Sequence, residues 1–390
     1  MHPYFSYPSL ILYFVLALVG MSCASHTRKS MAYNQSKTLS INSYAIAWLI
    51  IWSVIAIFRL VRDGIGGSDA IGYIEYFVKC KEVSGVHTDA DPMFKWINWI
   101  LRSISSDYHI LFTFIYPFFI LSFISFVQRF SCKEFPAVSF LLIFFLFLRG
   151  FSSIRSNLAI SFLLFALVFL AKEKKLWSLI FGCCACLTHK IAIVYFMVVP
   201  FCMIFKTNKI KMTYALAMVA ICYVGAMFLR PYFVTFSQIV DLGGAYGSYA
   251  EALMNDSVFS WVNDFGQMAL GVVMCLFSKR LRNEIDVIDK DRGNKVMSLL
   301  WTICIFDFLM VPVNQLLGIY RGYEFLYLAR LCMWGVILFV YTKRMSSSAR
   351  KFVCTCAFMV FATWFVFRIS RTYEDTCLMP YFFAPFSELI

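Results

Sequence analysis

Residues 109–133 read HILFTFIYPFFILSFISFVQRFSCK, which is twenty residues without an ionised side chain followed by Arg129 and, four residues later, Lys133. An apolar run of about 20 residues is long enough to cross a bilayer as a helix. Eleven further apolar runs lie at 5–24, 44–60, 135–148, 156–171, 176–188, 191–205, 212–229, 265–278, 297–318, 322–341 and 352–367. The chain is 61% hydrophobic and 15% charged, and its mean hydropathy is +0.73. The sequence therefore predicts an all-α polytopic membrane bundle of about 12 segments, with residues 1–390 forming a single transmembrane domain.

Basic residues concentrate in every second gap between these runs, where 21 of the 35 Lys and Arg residues lie. Loops rich in Lys and Arg stay in the cytoplasm. Both ends of the chain and the two longer loops, 61–108 and 230–264, are therefore expected on the outer side. The net charge of +13 reflects this topology. It does not indicate nucleic-acid binding, because the basic residues are spread over six short loops.

Two pairs of runs are too short for full crossings. Runs 176–188 and 191–205 flank His189, and runs 135–148 and 156–171 flank Arg149 and Arg155. We expect each pair to be re-entrant, entering and leaving from the cytoplasm. Polar tips at membrane depth are tolerated where they line a water-filled cavity. The pattern predicts one outward-facing cavity that receives both tips.

The loop 61–108 contains an amphipathic pattern that begins at Asp91-Pro92, an N-cap followed by a first helical residue. One predicted face carries the apolar residues Met93, Trp96, Ile97, Ile100 and Ile104, and the other carries Lys95, Asn98 and Arg102. We expect this helix to lie in the outer interface. In the loop 230–264, Tyr246 and Tyr249 stand beside glycines, which suits stacking on sugar rings. A flexible loop accounts for the same residues.

Arg155 is the main candidate for anion binding. It opens a predicted helix that Ser152 or Ser153 can cap, and helix N-termini favour anions. Its guanidinium matches phosphate bidentately, and Arg149 lies close enough along the chain to assist. A snorkelling arginine at the headgroups is the alternative. Arg321, at the outer end of a span, is a further candidate, although a pair with Glu324 explains it equally.

His189 and Asp69 are the candidate general bases. His189 lies at a predicted recessed tip beside Lys190, whose charge favours a neutral imidazole. A buried structural histidine is the alternative. Asp69 and Tyr73 follow the glycine turn after Arg62, where glycines allow backbone to approach a ligand closely. A turn into a helix capped by Ser68 or Asp69 accounts for the same residues without a ligand.

The 14 cysteines lie almost entirely in apolar runs. Cys80 and Cys377 are both expected outside, and their pairing stays open. Neither a nucleotide-binding loop nor a zinc motif occurs, so we expect no metal and no cofactor. No pair of acidic residues occurs mid-span, which disfavours an ion-coupled transporter.

Six short motifs follow one another along the chain in the same order as in a known family. They are Arg62 with Gly67-Ser68-Asp69 and Tyr73; Asp91-Pro92-Met93-Phe94; Arg155-Ser156-Asn157-Leu158-Ala159; His189-Lys190-Ile191-Ala192; Arg321-Gly322-Tyr323-Glu324-Phe325; and Pro380-Tyr381-Phe382. Together they resemble the EpsG-like family of polysaccharide polymerases, within the broader Wzy type. The family more often has Glu where this chain has Asp91, and Gln where it has Ser156. The likeness covers most of the chain.

The resemblance implies a helical GT-C-like architecture and a membrane glycosyltransferase in the bacterial inner membrane, with its active site facing outward. Its substrates would be oligosaccharide repeat units on undecaprenyl diphosphate. We expect Arg155, Arg321, Arg149 and Arg62 to hold the diphosphate, with Tyr73, Tyr246 and Tyr249 contacting sugar. Membrane lipid surrounds such an enzyme, and a chain-length regulator and a flippase are candidate partners. Two other classes stay open: a flippase or exporter of lipid-linked glycans, and a membrane O-acyltransferase using His189.

Overall fold

A computed structural model describes residues 4–33, 43–80, 91–131, 146–205, 211–239, 261–292, 294–313 and 325–384. Its α-helices are α1 Tyr7–Tyr33, α2 Ser43–Ile57, α3 Ala70–Lys79, α4 Pro92–Ile104, α5 His109–Phe130, α6 Ile154–Ala171, α7 Lys175–Thr188, α8 Tyr195–Phe205, α9 Met212–Ile239, α10 Trp261–Leu276, α11 Ser278–Arg292, α12 Val296–Leu309, α13 Tyr327–Thr342 and α14 Ser347–Thr376. A 3-10 helix covers Lys190–Val194. Within the described ranges no strand forms beyond two isolated bridges. The predicted all-α polytopic membrane fold is confirmed.

Four segments are long and apolar enough to cross a membrane: His109–Phe130, Ile154–Ala171, Val296–Val313 and Ser347–Thr376. The chain divides into two compact units, one formed by residues 1–192 and 334–390 and the other by residues 193–333. In the first unit 61% of the apolar window of α5 and 78% of that of α6 are buried, whereas only 11% of the apolar window of α14 is buried. An exposed apolar helix of this length is suited to contact with lipid.

Several predicted bounds are corrected. The run 156–171 was expected to be a half-length helix, but α6 begins at Ile154 and reaches 18 residues, enough to cross. The predicted outer loop 230–264 starts later, because α9 continues to Ile239. The break around His189 is confirmed, since α7 ends at Thr188 and α8 begins at Tyr195. Most of the run 135–148 lies outside the described residues.

Helices α6 and α7 form an antiparallel hairpin that sets the position of the site. The turn at 172–174 is tight, with Glu173 in the left-handed region at φ 60°. The Ser178 hydroxyl donates to the carbonyl of Ala166 at 2.9 Å. Further along, the rings of Phe165 and Phe181 lie 5.6 Å apart. This register brings the first turn of α6 and the last turn of α7 to the same end of the hairpin.

Helix α4 packs on α3, α5 and α7 through a face that only partly coincides with its predicted apolar face. Phe94, Ile97, Asn98 and Leu101 are buried. Asn98, expected on the polar face, is fully buried and donates its amide N–H to the carbonyl of Phe94 at 2.7 Å. Trp96, Ile100 and Ile104 are instead exposed. Helix α4 therefore has protein on one side, while most of its apolar stripe stays available to a membrane interface.

The second unit is built around α12, which contacts α8, α9, α10 and α11. A buried ion pair crosses its core: Nε of Arg330 lies 2.8 Å from Oδ2 of Asp307. The Gln267 amide donates to Oδ1 of the same carboxylate at 2.8 Å. Arg330 also lies over the ring of Tyr327, 4.9 Å from its centroid. A buried charge pair with these additional partners meets the conditions under which burial is tolerated.

Candidate functional site

Arg155 and Asp91 form the centre of the candidate site in the first unit. Arg155 lies in the first turn of α6, as predicted, and its Nη1 is 3.5 Å from Oδ2 of Asp91. The Asp91 side chain is 4% exposed and that of Arg155 is 28% exposed. The carboxylate is therefore buried beneath a guanidinium that reaches the surface. This pairing was not predicted, because Asp91 had been assigned to capping α4.

The segment that follows α7 completes this cluster. The positive charge of Lys190 acts on the Asp91 carboxylate, and the Lys190 backbone N–H donates a hydrogen bond to it. Burial raises the pKa of Asp91, whereas Arg155 and Lys190 lower it. Lys190 is exposed and the adjoining His189 is 4% exposed. Three separate motifs of the sequence, those of Asp91, Arg155 and His189-Lys190, thus meet at one carboxylate.

An aromatic wall lies beside the cluster. The rings of Tyr73 and Tyr76 on α3 each have their centroid 5.7 Å from that of Phe94 on α4. Burial raises the pKa of Tyr76 to about 12, and the Arg155 charge opposes the shift. Tyr73 is half-buried. Phe94 therefore links the predicted sugar-contact residue Tyr73 to the helix that Asp91 precedes.

The predicted helix caps are corrected. Asp91, Asp69 and Ser153 occupy the N-cap positions of α4, α3 and α6, but none of their side chains accepts a capping hydrogen bond. The Ser152 hydroxyl instead donates to the carbonyl of Thr376 at 2.8 Å and accepts from the Ser68 backbone N–H at 3.2 Å. For Ser152, these tertiary partners replace local capping.

The glycine turn approaches protein backbone rather than a free ligand space. Gly66 and Gly67 have φ of 82° and 120°, and both N–H groups donate to the carbonyl of Cys377, at 3.0 and 3.2 Å. A Cβ on Gly67 would lie 2.3 Å from the carbonyl oxygen of Phe151. The glycines therefore allow three backbone segments to meet, which agrees with the alternative of a structural turn into α3.

Asp69 is exposed in an acidic setting at the end of α14. Burial raises the pKa of the Cys377 thiol, and the charges of Asp63, Asp69 and Asp375 raise it further. Arg62 is also exposed, and its charge acts on Tyr108, whose pKa is raised chiefly by burial. Neither Cys80 nor Cys377 forms a disulfide.

The remaining predicted residues are placed only in part. Arg149 is half-buried and precedes the turn that leads into α6; its carbonyl accepts from the N–H of Ser152 at 3.1 Å. Arg321, Tyr246 and Tyr249 lie outside the described residues. Over the part of the chain that is described, no cluster of three or more His, Cys, Asp or Glu residues could hold a metal ion.

Arg59 and Asp307 are buried charges that were missed, and each had a signal in the sequence. Arg59 falls inside the apolar run 44–60, and Asp307 falls inside 297–318. An ionisable residue within a span marks a buried polar site by default. Arg59 is fully buried, and its guanidinium donates to the carbonyls of Ala56, Gly66 and Phe151. Both residues hold the fold together, and Arg59 fixes the turn that precedes Arg155.

The Pro380-Tyr381-Phe382 motif near the end of the described chain forms hydrogen bonds with distant segments. The Tyr381 hydroxyl donates to the carbonyl of Ile55 at 2.9 Å, and the Tyr381 N–H donates to the Ser9 hydroxyl at 2.9 Å. The carbonyl of Phe382 accepts from the Leu60 N–H at 2.8 Å. The segment after α14 is thus tied to α1 and α2, next to the loop that carries Arg59.

Comparison with known proteins agrees with the motif order. No curated protein and no solved structure matches the chain. The family model of the EpsG family matches residues 44–383, which includes every motif described above. Because this match covers most of the sequence, the chain belongs to the EpsG family.

Proposed function

We propose that this protein is a membrane glycosyltransferase that polymerises oligosaccharide repeat units carried on undecaprenyl diphosphate. Membership of the EpsG family indicates a polymerase role in polysaccharide biosynthesis. One observation carries the finer assignment: Arg155, in the first turn of a membrane-length helix, presents a partly exposed guanidinium over the buried carboxylate of Asp91. Such a cation beside a membrane helix suits the phosphates of a lipid carrier.

In the proposed reaction an acceptor sugar hydroxyl attacks the anomeric carbon of the donor chain. A new glycosidic C–O bond forms as the C–O bond to the diphosphate breaks, and the departing diphosphate takes the electron pair. Negative charge therefore grows on the leaving group in the transition state. Arg155 stabilises that charge, and a fixed cation in a site partly shielded from water does so most strongly at the transition state.

The proton of the acceptor hydroxyl needs a base. Of the two predicted bases, His189 adjoins Lys190 and therefore the Asp91–Arg155 cluster, whereas Asp69 lies in the acidic setting beside Cys377. We assign the base to His189. Its burial at 4% exposure implies that the acceptor reaches it through a rearrangement of neighbouring side chains. Arg149, Arg62 and Arg321 stay as predicted assisting cations.

The proposed location is the bacterial inner membrane, with the site on its outer side. The support is the charge pattern, since the basic loops are expected to remain in the cytoplasm. The exposed Trp96, Ile100 and Ile104 of α4 support an interface position for the helix that Asp91 precedes. Membrane lipid, a chain-length regulator and a flippase are the proposed partners.

The decisive experiment uses purified protein in nanodiscs with a synthetic undecaprenyl-diphosphate repeat unit, without added nucleotide. We expect a ladder of products that differ by one repeat unit, with release of undecaprenyl diphosphate. Translocation of the substrate across a liposome membrane without a ladder would instead indicate a flippase. Transfer of an acyl group from a donor thioester would indicate an O-acyltransferase. Either outcome would overturn the polymerase proposal.

A further inference from the structure

Two cations share the carboxylate of Asp91. Arg155 contacts it through Nη1, and both the charge and the backbone N–H of Lys190 act on it. The carboxylate is buried, whereas Lys190 is exposed and Arg155 is partly exposed. The cluster therefore combines one buried carboxylate with one exposed and one partly exposed cation.

The N···O distance of the Arg155–Asp91 pair is longer than that of a charge-assisted hydrogen bond. Charge-assisted hydrogen bonds between N–H and carboxylate oxygen are about 2.7–2.9 Å long. The ion-pair distance between Asp307 and Arg330 is 2.8 Å, whereas the Arg155–Asp91 distance is 3.5 Å. In addition, Nε of Arg155 is buried and has no hydrogen-bond partner among the residues that the structure describes. Arg155 thus keeps donor capacity that Asp91 does not use.

The geometry points to a second phosphate-binding residue. We propose that Lys190 binds phosphate together with Arg155, and that Asp91 is an internal counter-ion of both cations that a diphosphate displaces. This inference rests on the proposed function, which assigns Arg155 to the donor diphosphate. A diphosphate has two phosphate groups, so each cation can take one.

A counter-ion of this kind has a consequence for turnover. In the empty site the carboxylate reduces the repulsion between the two cations. In the occupied site its negative charge opposes the bound anion, which weakens ground-state binding and favours release of the diphosphate product. Binding that is tighter in the ground state alone does not speed the chemical step. Asp91 therefore acts through the two cations as a positioning residue.

The test measures binding of inorganic diphosphate to the full-length protein in neutral-lipid nanodiscs. Lys190→Gln is expected to weaken binding about tenfold, the effect of losing one charge-assisted contact. Lys175→Gln is the matched control, since it removes the same exposed charge from the other end of α7, roughly 20 Å away. Equal affinity of the two variants would overturn the role of Lys190.

Asp91→Asn is expected to change the affinity for diphosphate in the opposite direction. Removing the competing negative charge is expected to tighten diphosphate binding several-fold, with Asp91→Glu close to wild type. If Asp91→Asn instead binds more weakly while its unfolding temperature is unchanged, the counter-ion role is wrong. Should Asp91→Asn fail to fold, the Lys190 comparison decides the inference alone.

Two further measurements distinguish a diphosphate ligand from lipid headgroups, and distinguish the inference on Lys190 from the proposed polymerase function. An isoprenyl diphosphate should compete with inorganic diphosphate for the site. The same competition should be measured when the nanodiscs contain phosphatidylglycerol in place of neutral lipid. Loss of diphosphate binding in anionic nanodiscs would show that the cations bind lipid headgroups, and would overturn a diphosphate site. Diphosphate binding that depends on Lys190, in a protein that forms no polymer, would refute only the proposed function.

Discussion

Arg59 donates a hydrogen bond from Nη2 to the carbonyl of Phe151 at 3.2 Å, and so joins segments that lie 92 residues apart in the chain. Its guanidinium also lies 4.4 Å from the ring centroid of Phe112 and 4.5 Å from that of Phe151. A planar fork with several donors suits this set of carbonyls and rings. The turn that leads to Arg155 is thereby fixed to the end of α2.

We predict that Arg59→Lys destabilises the protein by about 3 kcal/mol, because an ammonium cannot reach three carbonyls in one plane and stays buried without full partners. Thermal unfolding in detergent measures the change. Arg62→Lys is the control, since Arg62 is exposed in the same loop. Equal unfolding temperatures for the two variants would contradict the structural role of Arg59.

Gly67→Ala should disrupt the same junction. The new Cβ would meet the Phe151 carbonyl oxygen at 2.3 Å, and φ of 120° is unfavourable for any other residue. Gly72→Ala provides the comparison, because nothing lies within 4 Å of its Cβ and it is inside α3. We expect Gly72→Ala to stabilise by up to about 1 kcal/mol. The yield of folded protein after gel filtration distinguishes the two, and a stable Gly67→Ala protein would refute the close approach.

Local patterns predicted the elements that position the site. Pro92 at the start of α4, Arg155 at the start of α6 and the break at His189 were each visible in the sequence. These features depend on neighbours a few residues away, such as a proline at the first helical position or the end of an apolar run. The fold class followed from the same information.

The contacts between these elements could not be predicted. The meeting of Asp91, Arg155 and Lys190 depends on the register of the α6–α7 hairpin, which the Ser178–Ala166 hydrogen bond and the phenylalanine contacts determine. It also depends on which face of α4 is buried. That face was not predicted, because an exposed apolar stripe and a buried one have the same helical period.

The Asp307–Arg330 pair should show strong coupling. Asp307→Leu alone leaves a buried guanidinium without its partner, at a cost of about 3–5 kcal/mol. The double variant Asp307→Leu with Arg330→Met removes both charges and should recover much of that loss. A double-mutant cycle on unfolding free energies measures the coupling. Additive losses would show that the two residues act independently.

Diphosphate binding should depend on pH through Asp91. Burial raises its pKa above the ordinary value of 3.8, so Asp91 gains its proton earlier than an exposed carboxyl as the pH falls. The neutral form no longer opposes the anion at Arg155 and Lys190. The affinity of wild type relative to Asp91→Asn should therefore rise as the pH falls towards 3.8. Because both proteins bind the same diphosphate, its own protonation affects the two affinities equally. Parallel pH profiles of the two affinities would contradict this role of Asp91.

The same raised pKa has a consequence for stability. The folded protein holds the Asp91 proton more tightly than the unfolded chain does. The contribution of Asp91 to the free energy of unfolding therefore decreases as the pH rises from 3.8 through the raised pKa. Asp91→Asn should lose this dependence, which unfolding at a series of pH values would detect.

The role of Arg155 in polymer formation is tested most directly by product ladders from wild type and Arg155→Gln in nanodiscs. Lys79→Gln is the control, because Lys79 is exposed on α3 of the same unit. We expect kcat for chain extension to fall by at least about 100-fold in Arg155→Gln, the effect of losing one preorganised group at a developing negative charge. Lys79→Gln should extend chains like wild type. Ladders of equal length and rate from Arg155→Gln and Lys79→Gln would contradict a diphosphate site at Arg155.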